Sequence, residues 1–141
     1  EWTRSVTHVL GHVGAGHYAG NMMFILLLGP ILEEKYGSGK LLGVIVVTAI
    51  LTAVLNGIFF GTSIIGASGI VFMMIILASY TKGESGGIPL TFLFMLFVYI
   101  GKEVVDALKP DHILHFAHIA GGLIGATFGA LLGKQHARAV A

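Results

Sequence analysis

Five stretches of this chain are each long and apolar enough to cross a lipid bilayer, and this limits its possible folds more than any other feature. A spanning helix needs about 20 mainly apolar residues, with about 17 near the lower limit. The stretches run over 16–32, 41–60, 64–80, 88–108 and 112–132, the fourth turning amphipathic near its end. Their connections, 33–40, 81–87 and 109–111, are short and polar, and no linker, low-complexity segment or internal repeat interrupts them. The pattern predicts an all-α, polytopic membrane helix bundle with five transmembrane helices, folded as one domain over 1–141.

The alternative is a soluble protein with several buried helices, and composition argues against it. Only 11% of residues are charged and 55% are hydrophobic, with a mean hydropathy of +0.90. A soluble domain carries roughly 25% charged residues, so this chain lacks the polar shell that five buried runs would need. A net charge of +1 leaves no footprint for nucleic acid and no acidic tail. The absence of cysteine removes disulfides, thiolate catalysis and Cys-based zinc sites together. The 21 glycines suit closely packed membrane helices. No cleavable signal peptide is visible and residue 1 is Glu, so the chain reads as a domain trimmed from something longer.

Charge placement sets an expected orientation. Five spans put the termini on opposite sides. Lys35, Lys40, Lys82, Lys134 and Arg138 fall on one side, and Arg4, Lys102 and Lys109 on the other. Positive-inside bias makes the first side cytoplasmic. Ser68, His17 and His118 then lie towards the outer ends of their helices.

Polar groups inside a membrane span are costly and point to function. Ser68 stands in Gly66-Ala67-Ser68-Gly69-Ile70, where a glycine-rich loop enters a helix. Flanking glycines allow a tight turn and leave room for a substrate carbonyl, and backbone N–H groups at a helix start can stabilise an oxyanion. A plain N-cap serine is the competing reading. The hydrolase elbow Gly-x-Ser-x-Gly is not matched, because Ile70 replaces its second glycine. His17 and Asn21 are one turn apart on one face and can both donate to an oxyanion, or can simply form an interhelical polar pair.

His118 precedes Gly121, Gly125, Gly129 and Gly133, which recur every four residues and so share one face. Such a stripe admits a close neighbouring helix. His118, on nearly the same face, would point at it, and a Ser–His pair follows if that neighbour carries Ser68; simple helix packing is the alternative. Gly122 lies off the stripe, so a methyl there is expected to be milder. His8, His12 and His17 have a spacing reminiscent of a metal site, but no His-Glu-x-x-His is present, and neither a metal nor a cofactor is expected. Asp111, after Pro110, reads as a helix N-cap and not as a third catalytic group.

Taken in order, these segments resemble the rhomboid family over essentially the whole chain. His12-Val-Gly-Ala-Gly-His17-Tyr-Ala-Gly-Asn21 is similar to its His-rich entry to a membrane helix, and Glu33 with Gly37-Ser38-Gly39-Lys40 to its cytoplasmic turn. Gly66-Ala67-Ser68-Gly69 matches its Gly-x-Ser-Gly motif, and Ala117-His118-Ile119-Ala120-Gly121 its last-helix His motif.

The resemblance implies a serine endopeptidase that cleaves single-pass transmembrane proteins within or near the bilayer through an acyl-enzyme. Ser68 would attack and His118 act as base, without a required acid. His17, Asn21 and the Ser68 N–H would form the oxyanion hole, and Phe72 would stack on His118. The fourth helix and the loop after it would form a lateral gate. The plasma membrane of a prokaryote is implied, with the active site near its outer face. The family's first helix and most of the following loop have no counterpart here, and its Trp-Arg pair appears as Trp2-Thr3-Arg4. Two other functions fit the same residues: a rhomboid-like pseudoprotease that only binds membrane helices, and a small transporter with His-lined sites at mid-membrane depth.

Overall fold

The structure is a computed structural model that describes residues 3–12, 14–61, 64–80, 94, 97, 98, 101 and 112–139. The continuous helices among these residues are α1 (Arg4–Thr7), α2 (Ala15–Tyr36), α3 (Ser38–Phe60), α4 (Ser68–Ser79) and α5 (His112–Ala139), with a 3-10 turn at His8–Leu10 after α1.

At the centre lies α4, apolar all round, with nine of its 12 residues buried. A helix of that kind needs covering on every side. One side is covered by α2 through Asn21, Phe24, Leu28 and Leu32, spaced three or four residues apart. The buried stripe of α3 is Leu41, Val44, Thr48, Ala49, Thr52 and Asn56. Thr48 and Thr52 satisfy their hydroxyls within the helix, donating to the Val44 and Thr48 carbonyls at 2.7 and 2.8 Å, which lets them sit in an apolar core. The most extensive interface is that of α4 with α5.

The outward faces of these helices are also apolar. Leu26 on α2 is 71% exposed and Leu123 on α5 is 65% exposed. Both α2 and α3 are long and apolar enough to cross a membrane. A polar medium would penalise such faces, and hydrocarbon does not.

The elements differ from the sequence expectation at their ends. The link expected over 33–40 shrinks to Gly37, whose φ of 82° breaks the helix between Tyr36 and Ser38. Its N–H donates to the Glu33 carbonyl at 2.7 Å, while Ser38 Oγ donates to the Glu33 carboxylate at 2.6 Å. The stretch 64–80, expected as a full span, yields a helix of only 12 residues. At about 1.5 Å per residue that is about 18 Å, short of the roughly 30 Å hydrocarbon core. Gly66, with φ 118°, stops the helix from extending backwards. The fifth helix is longer than expected and runs on to Ala139. The fourth stretch, 88–108, lies outside the described residues apart from Phe94, Phe97, Val98 and Gly101, which are helical.

Candidate active site

The site is built around the entry to α4. Gly66 takes a backbone conformation that L side chains rarely adopt. Its N–H donates to the His8 carbonyl at 3.0 Å, and the same carbonyl accepts from the Gly11 N–H at 3.2 Å. The Ile65 side chain lies over Gly11, where a Cβ would fall 2.7 Å from Ile65 Cδ1. The 3-10 turn therefore braces the loop. Ala67 occupies the cap position and Ser68 is the first helical residue, with no side-chain cap at this helix start. The N-cap reading of Ser68 is thereby set aside. The Val71 N–H reaches the Ala67 carbonyl at 3.0 Å, so the N–H groups of Ser68, Gly69 and Ile70 have no acceptor within the helix. Ser68 itself is 9% exposed.

Glycines set the spacing between α4 and α5. A Cβ on Gly121 would overlap the Gly69 carbonyl, and one on Gly125 would stand 2.6 Å from the Met73 carbonyl. One on Gly129 would overlap the Tyr80 ring. Residue numbers rise together along these contacts, so the two helices run parallel. His118 lies three residues before Gly121, just as Gly66 lies three before Gly69. That register brings His118 level with the entry to α4. His118 is buried, and its ring stacks on Phe72, one turn after Ser68, with centroids 5.8 Å apart and planes 24° apart.

On the other side α2 also runs parallel to α4. The His17 ring lies against Gly66, where a Cβ would stand 2.7 Å from its Cε1 and 3.0 Å from its Nε2. Further along, Gly29 faces Met74. Asn21 is 6% exposed, and its amide nitrogen has no hydrogen-bond partner among the described residues. His12 packs edge-on against His17 at 5.1 Å and against Tyr18 at 5.2 Å, and its Nδ1 lies 3.3 Å from the Leu10 carbonyl oxygen.

Ser68, Phe72, His118 and His17 thus gather at one end of the bundle, with Asn21 one turn below His17. Among the described residues no group of three or more His, Asp or Glu side chains could hold a metal ion. Asp111 lies outside the described residues; α5 starts at the next residue. Three contacts escaped sequence reasoning: His12 against His17, Gly66 beneath His17, and Gly122 beneath Phe72. Gly122, expected to tolerate a methyl better than the stripe does, faces a side chain and not backbone, and a Cβ there would stand 2.6 Å from Phe72 Cε1. Its only signal in the sequence is a second small residue one turn after a buried histidine.

Comparison with known proteins gives a consistent family. A family model described as the Rhomboid domain matches residues 1–135. The Rhomboid protease GlpG of Haemophilus influenzae is 26% identical over 134 residues, covering 93% of this chain and 70% of that protein. The Rhomboid protease GluP of Bacillus subtilis is 27% identical over 135 residues, covering 92% of the chain and 26% of that protein. The Rhomboid protease GlpG of Photorhabdus laumondii is 30% identical over 140 residues, covering 96% of the chain and 49% of that protein. The chain thus spans about half or less of the length of two of these relatives, and 70% of the other.

Proposed function

This chain belongs to the rhomboid family, and from that premise we propose that it is an intramembrane serine endopeptidase with Ser68 as nucleophile and His118 as general base. Residues 1–141 form one catalytic membrane domain. It is multi-pass in the plasma membrane of a prokaryote, with the site near the outer face. Its substrates are single-pass transmembrane proteins, cleaved at small residues close to the membrane surface.

The observation that carries this reading is the parallel α4–α5 register, which brings a buried, ring-stacked histidine level with a serine at a helix start. Ser68 Oγ attacks the scissile carbonyl carbon as His118 takes its proton. Charge then develops on the carbonyl oxygen. The Asn21 amide, the Ser68 N–H and the His17 ring donate to it. Donors held in place in a dry site need no reorganisation when the charge appears, which is why such groups lower barriers. The buried Asn21 amide nitrogen has no hydrogen-bond partner among the described residues and is poised to take an acceptor. The intermediate collapses, the C–N bond breaks, and His118 returns its proton to the departing amine. Water, deprotonated by His118, then attacks the Ser68 ester. Its hydrolysis releases the acid and restores Ser68.

Retention of both Ser68 and His118 favours a protease over a pseudoprotease. The test is cleavage of a transmembrane model peptide by the protein in liposomes. Ser68→Ala and His118→Ala each abolish cleavage in this account, and full activity in either variant removes the dyad. A transporter would keep its transport in Ser68→Ala.

A further inference from the structure

We infer that Gly122 is a positioning residue, whose missing side chain forms the slot that holds the Phe72 ring on His118 and thereby orients the base. The inference rests on the assignment of His118 as base, and deepens it. Gly122 lies one turn after His118 on α5, so the two positions share a face. The Phe72 ring, projecting from α4, covers both. It stacks on the His118 imidazole and lies so near Gly122 that a Cβ would stand 2.6 Å from its Cε1 and 2.9 Å from its Cδ1. Carbon atoms in contact sit about 3.5–4.0 Å apart, so a methyl at 122 drives the ring edge away by about 1 Å. The third neighbour of that point, Ile76 Cγ1, is at 3.8 Å and has no need to move. The ring alone must yield.

This separates Gly122 from the glycines beside it. Gly121 and Gly125 face the backbone carbonyls of Gly69 and Met73, so side chains there force two helices apart. A methyl at Gly122 leaves the helix spacing intact and displaces a ring. A ring that moves off the imidazole no longer fixes its plane, and misplacement near 1 Å can cost about 10²-fold in rate. Gly122 touches no substrate in this arrangement, so ground-state binding stays as it is.

The experiment compares four proteins in liposomes with a fluorogenic single-pass transmembrane peptide: wild type, Gly122→Ala, Phe72→Leu, and the double variant. Gly43→Ala, with open space around the added methyl, and Ser68→Ala are the controls. Gly122→Ala is expected to lower kcat by between about tenfold and about 10²-fold, with KM and Tm close to wild type. Leucine lacks Cε1, the nearest colliding atom, and its methyls can turn aside about the Cβ–Cγ bond, so the double variant is expected to be no slower than Phe72→Leu alone. The inference is overturned if Gly122→Ala keeps wild-type kcat, or if the losses of the two single variants multiply in the double. If Gly122→Ala alone does not fold, recovery of the melt and of Phe72→Leu activity in the double supports the slot, and no recovery overturns it. Cleavage by Ser68→Ala at the wild-type rate would instead remove the dyad itself, whatever Gly122→Ala does.

Discussion

Asn21 holds a side-chain amide nitrogen in the protein interior with no hydrogen-bond partner among the described residues. An unsatisfied buried donor costs about 1–3 kcal/mol, a cost that an oxyanion formed beside it offsets. Asn21→Ala is therefore expected to lower kcat while leaving Tm unchanged or slightly raised. One oxyanion donor is worth about 2.7–4 kcal/mol, or about 10²–10³ in rate, and the remaining donors make the lower end the expectation. A fall in Tm with kcat per folded molecule preserved would assign Asn21 to helix packing instead. Single residues were the most legible part of the site. Ser68, His118, His17 and Asn21 stand out because each is polar within an apolar run. What faces each of them across a helix boundary was not legible. Spacing along one helix defines a face, but the partner depends on the direction and register of the neighbour. That is why Gly66 beneath His17, and Gly122 beneath Phe72, emerge only from the packed structure.

Helices α4 and α5 meet backbone to backbone at Gly121 and Gly125. Gly125→Leu places a branched side chain where even a Cβ is 2.6 Å from the Met73 carbonyl. Overpacking of this kind costs about 1–3 kcal/mol or more, so both Tm and turnover are expected to fall together. Gly121→Ala is expected to be at least as damaging despite the smaller side chain, since its Cβ overlaps the Gly69 carbonyl. Thermal melts beside turnover distinguish both from Gly122→Ala, which is expected to lose rate alone. If Gly125→Leu leaves melt and turnover unchanged, close α4–α5 approach is not what aligns the site. Element existence was legible for α2, α3 and α5 because their apolar runs are long, but boundaries were not. Ile64 and Ile65 extend the hydropathy of α4, yet Gly66 at φ 118° keeps them out of the helix. Glu33, Glu34 and Lys35 look like a loop by polarity, yet they complete the last turn of α2, since hydropathy reports the solvent and not the helix end.

Among the described residues, the outer faces of the long helices carry large exposed apolar side chains, and lipid is the solvent that suits them. Leu26 lies mid-way along α2 and is 71% exposed. A lysine at the centre of a spanning helix costs about 2.5–3.5 kcal/mol on insertion scales. Leu26→Lys is thus expected to reduce membrane insertion, while Leu26→Ala is tolerated; equal insertion of both would remove that face from lipid. Metal chelators are expected to leave cleavage unaffected, because the sequence holds no cysteine and no His-Glu-x-x-His. Activity lost to a chelator and restored by zinc would reverse the assignment to serine chemistry. The central claim is that Ser68 is a nucleophile activated by His118, and the most direct measurement is labelling of the liposome-embedded protein by a fluorophosphonate, followed by mapping of the modified residue. The account predicts a single adduct on Ser68 in the wild type, and none in Ser68→Ala or His118→Ala. An adduct on another serine, or labelling of His118→Ala at the wild-type rate, would contradict it.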